Sequence, residues 1–217
     1  MKTKNTVIFD MDGTILDTLE DLTIAMNHVM SEFDFDKHTK EEYRHAFGNG
    51  IRFAIEQTTP NGTSKEVIDR MHPIFRAYYD EHCLDNTRPY DGILPLMKKM
   101  KDDGYKMAIV SNKIDSAVKE LNLRFFSEYV DVAIGERAGI KRKPAPDTVI
   151  EALRELGSNV YEAVYIGDSE VDFETAKNSE LDCITVLWGF RDKEYLEEIG
   201  ADVFANTPEE VYELLCN

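Results

Sequence analysis

Apolar residues recur along this chain in two rhythms. Between Asp17 and about Phe33, Leu19, Leu22, Met26, Val29 and Phe33 follow at intervals of three and four, the spacing of one helix face. Ser64 to about His82 repeats it with Val67, Met71, Ile74, Phe75 and Tyr78, behind a serine suited to cap the first turn. Pro73 is expected to kink or split that helix. Glu41 to Thr58 is also helical in character, interrupted by Gly48-Asn49-Gly50, and no strand pattern appears between Thr14 and Tyr90. The second rhythm is a series of short apolar runs: Thr6 to Phe9, Lys106 to Val110, Val130 to Ile134, Ala163 to Ile166 and Cys183 to Leu187, with a weak last strand near Asp202 to Ala205.

Helical stretches separate those runs. One carries Ile93, Leu96, Met97 and Met100 and ends at Gly104; others span Ser116 to about Leu123, Asp147 to Leu156 and Val171 to Asn178, and Pro208 opens the last. Strands as uniformly apolar as Met107-Ala-Ile-Val110, alternating with helices, imply a parallel sheet covered on both faces. The expected fold is therefore α/β, a Rossmann-like doubly wound parallel sheet core with an inserted all-helical domain. Residues 1–15 and 89–217 would form the core and residues 16–88 the insertion, with Pro89 and Gly92 marking the return. The acid-rich stretch Arg191 to Glu198 reads as a solvated helix face.

Composition narrows the partners. The 217 residues carry a net charge of −17, which argues against a grip on nucleic-acid phosphates or on an anionic membrane. With 42% apolar and 31% charged residues the chain is of ordinary globular composition, and at this length roughly 70% of its unfolded surface can be buried. The cysteines Cys83, Cys183 and Cys216 are odd in number and lack metal-site spacing, as expected of a reducing, cytoplasmic compartment. Val7-Ile8-Phe9 is too short for a signal-peptide core, and no apolar stretch approaches the roughly 18 residues of a membrane span.

The candidate chemistry lies at the strand ends. Asp10 and Asp12 follow the first strand, Ser111 the next, Lys143 comes after the third, and Asp168 and Asp172 follow the fourth. Parallel sheets bind ligands outside these carboxyl ends, so residues distant in sequence can meet there. A carboxylate can attack phosphorus, a second can protonate the leaving oxygen and then activate water, and magnesium relieves the repulsion among the acids and a phosphate. The Lys143 ammonium and the Ser111 hydroxyl add donors for the transferring group. All five histidines (His28, His38, His45, His72, His82) fall in the helical insertion, so a histidine-centred site in the core is excluded.

Asp10-Met-Asp-Gly-Thr14, Ser111-Asn112-Lys113, Lys143-Pro-Ala-Pro146 and Gly167-Asp168-Ser-Glu-Val-Asp172 resemble the four ordered motifs of the haloacid dehalogenase superfamily. The insertion resembles its C1-type helical cap. Asp17-Thr18, Gly48-Asn-Gly50, Pro89-Tyr-Asp-Gly92 and Trp188-Gly-Phe190 look most like the phosphoglycolate phosphatase-like hydrolases. The resemblance implies Asp10 as nucleophile, Asp12 as general acid and base, and Ser111, Asn112 and Lys143 around the phosphate. Magnesium would sit on the Asp10 carboxylate, the Asp12 carbonyl and Asp168, with Asp172 behind them and Glu170 left open as a contact. Gly48, Asn49, Gly50 and Arg52 in the cap, and Lys113 at the pocket mouth, would face the substrate. The implied activity is magnesium-dependent hydrolysis of a small phosphate ester or pyrophosphate. A sugar phosphomutase keeps the same motifs and ranks second. A phospho-accepting receiver gathers similar residues but has no use for an insertion of this size.

Overall fold

The computed structural model describes residues 4–216. Met1-Lys-Thr3 and Asn217, the outermost residues of the expected core spans 1–15 and 89–217, lie outside the described residues. The chain divides into two compact units, one taking in the chain up to Leu16 and from Pro89 onward, the other Asp17–Arg88.

The first unit is built on a parallel sheet. Its strands are β1 (Thr6–Phe9), β4 (Lys106–Ile114), β5 (Val132–Glu136), β6 (Ala163–Gly167), β7 (Asp182–Val186) and β8 (Phe204–Ala205), in the spatial order β5-β4-β1-β6-β7-β8. The chain winds outward from β1 first in one direction and then in the other, the doubly wound arrangement that right-handed crossovers cover on both faces. The helices are α5 (Ile93–Asp102), α6 (Asp115–Phe125), α7 (Asp147–Leu156), α8 (Glu170–Asn178), α9 (Lys193–Glu198) and α10 (Pro208–Cys216). Ile8, Ala108, Val110, Val132, Ile134, Ala163 and Tyr165, from the four strands β1, β4, β5 and β6, meet Val149, Ala152 and Leu153 of α7 and Ala176 of α8 in one buried cluster. β4 is longer than its apolar run: after Val110 the register shifts, and the strand resumes pairing at Ile114 opposite Glu136. Polar residues at a sheet's carboxyl end hide that extension from a hydrophobicity pattern.

The second unit is helical: α1 (Leu19–Glu32), α2 (Lys40–Arg44), α3 (Ile51–Thr58) and α4 (Lys65–His82). Contrary to the reading of residues 14–90 as strand-free, two-residue strands β2 (Leu16–Asp17) and β3 (Arg88–Pro89) pair where the chain leaves and rejoins the first unit. Two residues are too few to show a period. α4 also runs unbroken across Pro73. Its buried stripe is Ile68, Met71, Phe75 and Tyr79, one position on from Val67 and Tyr78 of the expected face, and packing on both sides of the proline holds the two halves together. The Asp21 carboxylate, in the first turn of α1, accepts hydrogen bonds from the backbone N–H of Asn86 (3.0 Å) and Thr87 (2.8 Å) and from the Thr87 hydroxyl (2.8 Å). It thereby ties the start of the helical unit to its end. Among the described residues no helix is long and apolar enough to cross a membrane.

Candidate active site

Strand register decides which polar residues meet. Thr6 pairs with Lys106 on one side and Ala163 on the other, so Asp10, one residue past β1, stands level with Val110 and Gly167. Its N–H continues the ladder to the Ile166 carbonyl at 2.9 Å. Ser111 on β4 and Asp168, one residue past β6, come next, at the point where the winding reverses, the usual ligand position of such sheets. Gly13 turns the chain here with φ +87°, and a Cβ on it would lie 2.5 Å from Asp168 Oδ2. Only glycine combines that backbone with that approach. Thr14 then donates its hydroxyl to Asp168 Oδ1 (2.9 Å), while the Phe190 N–H donates to Oδ2 (2.7 Å).

Lys143 is the hub. Its buried Nζ donates to Asp10 Oδ1 (2.6 Å), Asp172 Oδ1 (2.7 Å) and the Tyr165 hydroxyl (3.1 Å), one acceptor for each ammonium proton. The Tyr165 hydroxyl donates to Asp172 Oδ1 (3.0 Å), and Asp172 Oδ2 accepts from the Ser169 hydroxyl (2.6 Å). Burial opposes the charge on Lys143, but Asp10 and Asp172 outweigh it and raise its pKa. Burial likewise opposes ionisation of Asp172, yet Lys143 and the hydroxyls of Ser169 and Tyr165 hold it below the ordinary carboxylate value. Asp10 goes the other way: burial, then the Asp172 charge, push it well up despite Lys143. Asp168 is pushed up to about 7 by burial and by Asp172, against the Phe190 amide, the Thr14 hydroxyl and the Arg191 charge.

Carboxylate oxygens of Asp10, Asp168 and Asp172 lie within 4.8 Å of one another. Three buried acids facing one ammonium leave negative charge uncompensated, and all-oxygen donors suit a hard divalent cation such as magnesium. The residues present therefore fit the metal that the motifs imply.

The other expected residues fall in two places. Lys113 Nζ lies 3.2 Å from Asp12 Oδ1, an ion pair whose direction misses that of a hydrogen bond. Ser111 Oγ accepts the Lys113 N–H (3.1 Å), which leaves its hydroxyl proton free to donate elsewhere. The Asn112 amide donates to the Lys143 carbonyl (3.2 Å), bracing the backbone of the hub residue. Gly48, Asn49 and Gly50 form the turn between α2 and α3 in the helical unit, and Arg52 of α3 pairs with Asp69 and with Glu56 (3.1 Å). Glu170, left open as a metal contact, gives both its oxygens to Arg191, at 2.6 and 2.8 Å. Arg191 is itself a correction: at 5% side-chain exposure it is buried, and the helix begins only at Lys193. The salt bridge that draws it in spans 21 residues, beyond the reach of any local pattern.

A family model described as "Haloacid dehalogenase-like hydrolase" matches residues 7–186. The chain is a member of the haloacid dehalogenase-like hydrolases. It is similar to the crystal structure of a "putative phosphoglycolate phosphatase" from Lactobacillus delbrueckii subsp. bulgaricus, with 39% identity, 99% of each chain covered and a TM-score of 0.94. A phosphoglycolate phosphatase from Aquifex aeolicus is 28% identical over 85% of each chain. The pyrophosphatase PpaX of Bacillus pumilus is 29% identical over 89% of this chain and 88% of its own. Within this hydrolase, sequence reasoning passed over Tyr165, Thr14, Ser169, the Phe190 amide and Arg191 as working parts of the site. Tyr165 alone left a usable signal, a hydroxyl-tipped side chain inside a strand that is otherwise aliphatic.

Proposed function

We propose that this hydrolase is a magnesium-dependent phosphatase that cleaves a small phosphorylated metabolite, of the phosphoglycolate or pyrophosphate kind, through an aspartyl-phosphate on Asp10. The observation that carries the reading is the Lys143 ammonium shared between Asp10 and Asp172, beside a third carboxylate, at the sheet's switch point.

Lys143 occupies Oδ1 of Asp10, so Oδ2 is the attacking oxygen. Its lone pair forms the new P–O bond while the bond from phosphorus to the leaving oxygen breaks, and Asp12 gives that oxygen its proton. Asp12, now a carboxylate, takes a proton from water. The resulting hydroxide attacks the aspartyl-phosphate, releases inorganic phosphate and restores both acids. Ser111 and the backbone around Asn112 donate to the phosphoryl oxygens, and the adjacent Lys143 charge opposes, without cancelling, the upward shift that burial and Asp172 impose on Asp10. Asp10, Asp168 and the Asp12 carbonyl would hold magnesium, with Asp172 behind them, and the ion would supply charge neutralisation among acids and phosphate.

The helical unit is the cap that selects the substrate, with Gly48 to Arg52 and Lys113 as candidate selectors. A second copy is not required by this reading. The three free cysteines fit a reducing, cytoplasmic setting. Phosphate release from phosphoglycolate, pyrophosphate, nucleoside monophosphates and sugar phosphates, with and without chelator, tests the proposal. Magnesium-dependent turnover of one of them is expected; metal-independent turnover, or isomerisation of a sugar phosphate without phosphate release, would overturn it.

A further inference from the structure

Four residues after β7 enclose one side chain. Trp188 Nε1 donates to the Thr14 carbonyl (2.9 Å), and the Thr14 hydroxyl holds Asp168 Oδ1. Gly189 passes so close that a Cβ there would lie 2.3 Å from the Asp168 side chain. The Phe190 N–H holds Asp168 Oδ2. The next residue, Arg191, then closes on Glu170 through a two-pronged bond, Nε to Oε2 (2.6 Å) and Nη2 to Oε1 (2.8 Å). Glu170 is the first residue of α8 and lies two positions after Asp168. The fork therefore fastens the far end of the 188–191 segment to the same helix start that carries Asp168 and Asp172.

We propose that the Arg191–Glu170 pair is a positioning clasp for the cation site: it keeps the Phe190 amide on Asp168 and so fixes the orientation in which that carboxylate meets a divalent ion. This rests on Asp168 being a metal ligand, as in the function proposed above. A buried guanidinium is stabilised only by a geometry that satisfies it, and a bidentate carboxylate does so with defined direction. Partners that orient metal ligands typically change metal affinity about 10–100-fold when removed.

Charge alone makes a different forecast. Paired, Arg191 and Glu170 cancel. A lone Arg191 repels a nearby cation, and a lone Glu170 attracts it, so a purely electrostatic role gives opposite signs for the two single substitutions. Positioning gives the same sign for both.

The test is calorimetric titration of Mg²⁺ into the metal-free full-length chain, at fixed pH and ionic strength, for wild type, Glu170→Gln, Arg191→Met and Arg191→Lys. Emission of Trp188, the single tryptophan of the chain, gives a second readout from inside the clasped segment. Each variant is expected to bind Mg²⁺ about 10-fold more weakly or worse. Arg191→Lys is included because lysine keeps the charge but has no fork, and with Glu170→Gln it decides the matter if Arg191→Met does not fold. Wild-type affinity in Glu170→Gln and Arg191→Lys would overturn the clasp, as would tighter binding in Arg191→Met alongside weaker binding in Glu170→Gln. A wild-type chain that binds no Mg²⁺ would instead sink the reading of Asp168 as a ligand, a separate failure.

Discussion

Lys143 brings three protons to three acceptors, and this shapes what each neighbouring residue can do. With Oδ1 of Asp10 engaged at 2.6 Å, an amide in place of the carboxylate still fills the space but has no nucleophilic oxygen. Asp10→Asn should fold, with a Tm equal to or above that of wild type because a buried acid repelled by Asp172 is gone, and should release no phosphate above background in a steady-state assay. In the proposed mechanism Asp12→Ala removes the proton relay and leaves the nucleophile. It should lower kcat by about 10²–10⁴-fold, and rapid-quench sampling should find less phosphorylated Asp10 formed per unit time. The meeting of Asp10 and Ser111 at the sheet's carboxyl ends was legible in the sequence, because each stands directly after an apolar run and is polar where a loop has no packing need for it. Tyr165, Thr14 and Arg191 were not. They act by touching residues far along the chain, and nothing in their own neighbourhood records that.

Short elements carry the site, and caps hold them in place. The N-terminus of α8 is closed by a reciprocal pair, Ser169 and Asp172, in which the capping carboxylate also serves Lys143. In the helical unit the corresponding device is Asp21, whose carboxylate is hydrogen-bonded by Asn86 and Thr87 across 65 and 66 residues. Asp21→Ala strips the buried Thr87 donors and the Asn86 amide of their acceptor and should destabilise the helical unit by about 2–4 kcal/mol. Hydrogen exchange should show α1 and α4 losing protection while the strands of the sheet keep theirs; uniform loss across both units would contradict this. Element type and order were readable because amphipathic spacing is a local property of backbone geometry. The one-position shift of the α4 stripe was not readable. Its pattern of Val67, Ile68, Met71, Ile74, Phe75, Tyr78 and Tyr79 offers two adjacent faces, and only packing against α1 and α3 chooses between them.

At the scale of the whole molecule, the buried acids couple folding to pH and to metal. In the metal-free chain Asp168 binds its proton up to about 7, whereas in the unfolded chain it is ionised above roughly 4. The folded state therefore holds the extra proton between those values, and the stability this group contributes is lost as pH rises from about 4 to 7. Asp172 has the opposite sign, but its lowered pKa places its titration below that window. Thermal unfolding in chelator should give a Tm that falls between pH 5 and 7.5 more steeply for wild type than for Asp168→Asn. Magnesium should remove the fall: at a hundredfold excess over Kd it adds about 2.7 kcal/mol to the native state, on the order of 5–10 °C for a chain of this size.

The alternation of strands and helices, the excess of negative charge and the sequence of polar strand ends were written in the chain itself, since each depends on residues close together or on simple sums. Which of the 42 acidic side chains share one ammonium, which arginine is taken inside, and which amide steadies Asp168 were settled only by the folded arrangement. Those outcomes follow from strand register and from segments that cross after long intervals of chain, and a hydrogen bond across such an interval leaves no periodic trace.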